Sequence, residues 1–221
     1  MRGVVFVNGR VDDYAPLAQR LRPDDLLVGA DGGTRHILAL GLQPHFVVGD
    51  LDSLPAAVVE ELIARGIAIE RHPTSKDQTD LELAIECALR QGVDEILMLG
   101  GMGGRLDQTL ANLLILAQRD WPAPLRLAEG AQIASVVRGP GRLDLHGAVG
   151  ATVSVIPLSA DARGITYSGL RYPLTNATLP LGSTRGVSNE FAAATATVEL
   201  TAGLLLVVQT EPAMAGANKV G

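Results

Sequence analysis

The 221 residues are 47% hydrophobic but only 3% aromatic, and they carry a formal net charge of −6. The length suits one large domain or two small ones, and the composition excludes a disordered chain. The acidic balance argues against a general affinity for nucleic acid or anionic membrane, and the single cysteine, Cys87, excludes an internal disulfide and a cysteine-rich metal site. A core poor in aromatics must be built from Leu, Val, Ile and Ala, which suits a parallel sheet covered by helices. No run approaches the roughly 20 apolar residues of a membrane span. The apolar run near Met1 is too brief for a signal peptide, so a cytoplasmic location is expected.

Along residues 1–128 two patterns alternate. Short apolar runs at 3–7, 26–30, 46–48, 67–70, 95–99 and 125–128 predict buried strands. Segments 14–21, 34–40, 56–65, 80–91 and 106–118 predict helices. In the fourth, Leu81, Ile85, Ala88 and Leu89 recur on one face, and Thr79 three residues before Glu82 is a capping signal. Such alternation implies a three-layer α/β/α domain on a parallel sheet. From residue 129 to 211 helical periodicity fades. Runs at 133–137, 152–156, 195–200 and 204–209 predict strands of a smaller antiparallel β-sandwich, with Ala202-Gly203 as a tight turn between the last two. A small, polar tail at 212–221 is expected to be disordered.

Four acidic or glycine-rich runs lie just after predicted strands or at helix starts. In open parallel sheets the carboxyl edge of the strands is where ligands bind. In Gly29-Ala30-Asp31-Gly32-Gly33, the glycines allow a close backbone approach and the next helix offers its N-terminal amides to an anion. An ordinary strand–helix turn is the plain alternative.

The second run is Gly49-Asp50-Leu51-Asp52-Ser53. Two carboxylates one residue apart repel by about 4 kcal/mol at 4 Å near a protein surface. A hard divalent cation removes that penalty, and Mg²⁺ accepts one or two carboxylates together with phosphate oxygens. The alternative is a solvated acidic turn, with Asp52 or Ser53 capping the helix that follows.

In Ser75-Lys76-Asp77-Gln78-Thr79-Asp80, the two aspartates suit the dipole of the helix they open, and Lys76 is a point charge of the kind that binds phosphate. The fourth run is Gly100-Gly101-Met102-Gly103-Gly104-Arg105-Leu106-Asp107-Gln108. A strand, a glycine-rich loop and a helix start form an anion cradle, although the Gly-Lys-Ser/Thr ending of a P-loop is missing. Arg105 is suited to clamp phosphate oxygens. Asp107 has two readings, a further metal ligand or an acceptor for a ribose hydroxyl. His36, His45, His72 and His146 have no ligand spacing and read as structural or surface residues.

In order and spacing these runs resemble the thiamine pyrophosphokinase (thiamine diphosphokinase) family. Its pattern is an Asp-Gly-Gly turn, Gly-Asp-x-Asp-Ser, a Thr-Asp pair opening a helix, and Gly-Gly-x-x-Gly-Arg-x-Asp followed by His or Gln. Gly169-Leu170-Arg171-Tyr172-Pro173-Leu174 and Gly186-Val187-Ser188-Asn189-Glu190 match the family's thiamine-side segments. The resemblance implies transfer of the ATP diphosphate to thiamine by a homodimer, with thiamine bound between subunits. Asp50, Asp52 and Asp80 are then expected to hold Mg²⁺. Asp31, Gly32, Gly33, Lys76, Asp77, Arg105, Asp107 and Gln108 are expected around ATP. Ser188 and Asn189 are expected to face the thiamine pyrimidine. Tyr172 stands where some members have tryptophan, and is expected to stack on a cationic ring. Asp77 and Asp107 both qualify as a weak general base. Two other functions stay open on the residues alone: a metal-dependent nucleotide or nucleotide-sugar transferase, and a non-catalytic nucleotide sensor.

Overall fold

The computed structural model describes residues 1–211; the tail expected at 212–221 lies outside the described residues. The chain divides into two units, Met1–Gly130 and Ala131–Gly221.

In the first unit the strands are β1 (Arg2–Phe6), β2 (Leu26–Ala30), β3 (Phe46–Gly49), β4 (Ala68–Arg71), β5 (Glu95–Leu99) and β6 (Leu125–Glu129). The helices are α1 (Ala15–Arg20), α2 (Thr34–Ala39), α3 (Ala56–Ala64), α4 (Asp80–Arg90) and α5 (Leu106–Leu114). The strands form one parallel sheet in the order β6-β5-β1-β2-β3-β4. All five residues of β2 are buried, as are the last four of β1 and of β5. Continuous burial is why these strands read as apolar runs rather than as alternating ones. Helix α4 packs across β1, β2 and β3 and buries Leu81, Leu83, Ala84, Ile85, Cys87 and Ala88. Its cap forms as the sequence predicts, the Thr79 hydroxyl accepting from the Glu82 amide at 3.2 Å.

The strand order reverses between β1 and β5. The chain lays β2, β3 and β4 to one side of β1 and then returns to its other side. Loops leaving neighbouring strands in opposite directions open a crevice at the carboxyl edge of the sheet, and the site described below lies at that edge.

The second unit has two antiparallel sheets. One joins β7 (Gln132–Arg138), β14 (Leu204–Thr210), β9 (Thr152–Pro157) and the short β12 (Asn189–Glu190). The other joins β8 (Gly141–His146), β13 (Thr195–Leu200), β10 (Asp161–Ser168) and β11 (Ala177–Pro180). Alternate residues of β9 and β13 are buried, and Val153, Val155, Ile165, Phe191, Val198 and Leu205 belong to one core.

One expectation is corrected here. Ala202-Gly203 does not close a hairpin between β13 and β14. The two strands belong to different sheets, and the connection crosses between them. Gly203 has φ +99°, and Ala202 bridges to Arg163 instead. Turn chemistry identifies a sharp reversal but not which strands it pairs.

The first unit contains a buried ion pair. The Arg2 guanidinium reaches both carboxylate oxygens of Asp25, at 2.8 and 2.7 Å, with side chains only 10% and 1% exposed. Asp25 also accepts from the Arg22 amide at 2.7 Å. Removing one partner of a buried pair strands the other charge and costs about 3–5 kcal/mol. Asp25→Ala is therefore expected to lower unfolding free energy in urea by that amount with an unchanged denaturant slope, and a loss under about 1 kcal/mol would show that the pair contributes little.

Candidate functional site

At the carboxyl edge of the parallel sheet lies a cavity of about 850 Å³. Of the residues singled out in the sequence, Asp31, Asp50, Asp52, Lys76, Asp80, Arg105 and Gln108 line it. They come from the ends of β2 and β3, the start of α4 and the start of α5, the four places the motifs pointed to.

Backbone geometry brings the carboxylates together. Leu51 is 7% exposed and packs with Val47, Leu54, Val59 and Leu62. Its φ is +67°, a left-handed conformation unusual for a leucine. The buried side chain anchors the loop, and Asp50 and Asp52 on either side of it remain partly or fully exposed. Asp31 is also left-handed, at φ +45°, and is buried. One carboxylate oxygen from each of Asp31, Asp50 and Asp52 lies within 4.8 Å of the others.

Gly49 explains how Asp80 joins this group. It adopts φ +146°, and a Cβ placed there would meet the Asp31 Cβ at 3.0 Å and Asp80 Oδ1 at 3.1 Å. Only glycine lets the two aspartates close over the end of β3.

The electrostatics suit a cation. Buried Asp31 Oδ1 and Asp80 Oδ1 have no hydrogen-bond partner. The Lys76 ammonium lies 2.9 Å from Asp80 Oδ1, an ion pair outside hydrogen-bond geometry. The amide of Asp52 donates to Asp50 Oδ1 at 3.2 Å and, with the Thr74 hydroxyl and the charge of Lys76, holds the Asp50 carboxyl below the usual range against the opposing effect of desolvation. Asp50 is thus fully ionised at neutral pH. Buried carboxylate oxygens without hydrogen-bond partners beside two more accessible carboxylates are an all-oxygen donor set for a hard divalent cation, so the residues present fit Mg²⁺.

Arg105 and Asp107 form an exposed bidentate pair, at 3.1 and 2.5 Å. Each holds the other charged: the guanidinium is pushed up and the carboxyl down. Arg105 lines the cavity, whereas Asp107 and Asp77 do not.

Gly32 and Gly33 do not line it either. A Cβ on Gly33 would fall 2.0 Å from the Phe6 carbonyl oxygen, and one on Gly32 would fall 2.5 Å from Asn8 Oδ1. Their close approach is to the chain's own β1 and the residues after it. His36 is structural as expected. Its Nε2 donates to the Gly9 carbonyl at 3.0 Å, which leaves Nδ1 to accept from the Tyr14 hydroxyl at 2.9 Å, and burial pushes its pKa below the ordinary value.

Sequence reasoning missed Asn8, Thr74, Gln78 and Asn112, which also line the cavity. Asn8 follows the end of β1, so the rule that ligands gather at strand ends was available to find it. Asn112 holds the glycine-rich loop from behind, donating to the Gly101 carbonyl at 2.6 Å; nothing in a helix sequence marks such a contact.

In the second unit, Tyr172 and Ser188 are exposed and Asn189 is buried. Ser188 has φ +60°, and its amide donates to the Ser154 hydroxyl at 3.0 Å. The Asn189 carboxamide is bonded to the backbone of Tyr172.

Two family models match the chain: the thiamin pyrophosphokinase catalytic domain over residues 17–123, and the thiamin pyrophosphokinase vitamin B1 binding domain over residues 142–205. Thiamine pyrophosphokinase of Bacillus subtilis is 32% identical over 187 residues, covering 84% of this chain and 87% of that protein. The chain belongs to the thiamin pyrophosphokinase family. The crystal structure of the Bacillus subtilis enzyme superposes with a TM-score of 0.85 at 28% identity, covering 96% of this chain and 99% of that one. That of the Geobacillus thermodenitrificans thiamin pyrophosphokinase gives 0.82 at 30% identity, covering 98% and 100%. The four-carboxylate cavity falls within or beside the segment matched by the family's catalytic model, and Tyr172, Ser188 and Asn189 fall in the segment matched by its vitamin-binding model.

The packing around Gly49 yields a test. Gly49→Ala is expected to displace Asp31 or Asp80 and to cut turnover at least tenfold, while strain costs only about 1–3 kcal/mol of stability. Wild-type turnover in a folded Gly49→Ala variant would show that the closure of Asp31 on Asp80 does not matter.

Proposed function

We propose that the chain transfers the diphosphate of ATP to the hydroxyl of thiamine, yielding thiamine diphosphate and AMP. One observation carries this reading: four carboxylates, Lys76 and Arg105 surround one cavity at the switch point of the sheet, in a member of this family. ATP and thiamine are the substrates, and Mg²⁺ is the metal.

Asp50, Asp52 and Asp80, joined by Asp31, would hold the ion. Bound there, Mg²⁺ supplies positive charge to the phosphate oxygens. Phosphoryl-type transfer needs positioning and charge neutralisation more than covalent help, and the protein's own groups supply both. Lys76 at the mouth of α4 presents a point charge to the triphosphate while balancing Asp80. Arg105 exchanges Asp107 for phosphate oxygens, a bidentate partner it is shaped for. The glycine-rich loop, fixed by Asn112, orients the chain of phosphates. The thiamine hydroxyl attacks the β-phosphorus in line, its proton passes to a weak carboxylate base, Asp77 or Asp107, and the bond from the β-phosphorus to the α–β bridging oxygen breaks so that AMP departs with the electron pair. Ser188 and Tyr172 would face the thiamine.

We extend the proposal to a homodimer in the cytoplasm. Leu106, Leu110 and Leu114 recur every four residues along α5 with exposures of 83%, 56% and 45%, apolar surface that a second copy would cover. Cys87 is buried, and burial raises its thiol pKa to about 11, so it stays protonated and inert. Among the described residues no helix is long and apolar enough to cross a membrane.

The product assay tests the reaction. Purified protein with ATP, Mg²⁺ and thiamine is expected to form AMP and thiamine diphosphate in equal amounts, and chelation of the metal is expected to stop both. ADP as the sole nucleotide product would overturn the proposal in favour of a simple kinase. Sedimentation velocity is expected to give a species of twice the 23.1 kDa chain mass; a monomer at assay concentration would remove the dimer.

A further inference from the structure

The segment around Tyr172 is built in an unusual way. Leu170 bridges antiparallel to Phe191, and the Arg171 amide donates to the Glu190 carbonyl at 2.9 Å. The next rung of this ladder is made by a side chain. The Tyr172 amide donates to Asn189 Oδ1 at 3.0 Å, and Asn189 Nδ2 donates to the Tyr172 carbonyl at 2.8 Å. Oδ1 also accepts from the Glu190 amide at 2.9 Å. One carboxamide thus occupies both backbone polar groups of Tyr172.

The chemistry fixes how Asn189 must sit. Its oxygen faces two N–H donors and its nitrogen faces a carbonyl; a flipped amide would set NH₂ against both donors. Asn189 is 4% exposed, whereas Tyr172 is 56% exposed. The Arg171 guanidinium lies 5.5 Å from the centre of the tyrosine ring and is itself tethered to Glu190 at 2.8 Å. The strip is therefore a rigid mount that holds an exposed aromatic face, with its carboxamide turned inward and bonded at three points.

We propose that Asn189 is a positioning residue that sets the backbone of Tyr172, and not a direct ligand of thiamine. The inference rests on the reading that Tyr172 contacts the cationic ring system of thiamine. A cation over a tyrosine face gains about 0.5–2 kcal/mol, and that gain depends on where the ring is held. Asn189 is too buried and too fully bonded to reach the pyrimidine without releasing the residue it mounts.

A double-mutant cycle on the full-length protein separates the roles, read as KM for thiamine and for ATP. Asn189→Ala is expected to raise the thiamine KM about tenfold, equivalent to about 1.4 kcal/mol, with the ATP KM changed less than twofold. In a Tyr172→Ala background the same substitution is expected to change the thiamine KM less than twofold, because the group it acts through is gone. Should Asn189→Ala fail to fold, Asn189→Asp keeps both acceptor bonds, sets a carboxylate oxygen against the Tyr172 carbonyl, and is expected to give the same pattern. A full tenfold effect persisting in the Tyr172→Ala background would overturn the positioning role while leaving Tyr172 on the thiamine side. An unchanged thiamine KM in Asn189→Ala would overturn it as well. If Tyr172→Ala alone leaves the thiamine KM unchanged, it is the thiamine-side reading of Tyr172 that fails, and the inference falls with it.

Discussion

Crowding of carboxylates is the constraint around which the site of the first unit is built. Asp31, Asp50 and Asp52 bring oxygens within 4.8 Å of one another, and like charges that close repel. Relaxed loops would let them part. The backbone prevents it with left-handed residues at Asp31 and Leu51 and a positive-φ glycine at Gly49. Buried apolar packing on both sides of the acidic run holds those conformations in place. Strain of this kind persists only where the surroundings over-determine it, and it gathers where ligands bind. The ammonium of Lys76 offsets part of the repulsion, and a divalent ion is the natural complement to the rest.

The second unit solves a different problem. Among the described residues its sandwich core contains no buried charged side chain, and Val153, Val155, Ile165 and Val198 are fully buried. Its polar organisation sits at the rim, where Tyr172, Ser188 and Asn189 are fixed by backbone and hydroxyl partners. The two units differ in the chemistry they present: one offers charge, the other a braced aromatic face.

Much of this was legible from the residues. The parallel strands announce themselves because burial on both faces forces uninterrupted Val, Leu and Ile, and α4 because capping and a 3.6-residue period agree. What escaped did so for physical reasons. Strand β8 reads Gly-Arg-Leu-Asp-Leu-His, with charges on its solvent face. Strand β10 carries a register shift between Ala162 and Ile165 that breaks its alternation, and β11 contains a proline. Strand β12 is two residues long. At the site, the motifs located Asp31, Asp50, Asp52 and Asp80. They placed Gly32 and Gly33 around ATP; close approach to the Phe6 carbonyl of β1 is a separate reason for glycine at Gly33, and the nearest neighbour of Gly32 is the Asn8 side chain. Asn8 and Asn112 are single polar residues whose roles exist only once distant segments meet.

Leu51 links the acidic centre to the hydrophobic interior. Its side chain is a peg in the cluster of Val47, Leu54, Val59 and Leu62, and the two aspartates it separates ride on that peg. The spacing of the carboxylates is thereby coupled to the cohesion of an oily contact several residues away in sequence. Warming that softens this cluster would let the loop relax and the carboxylates spread before the sheet itself melts. Heat inactivation would then precede loss of secondary structure, and tolerance to heat could be raised from within the cluster without touching a charged residue.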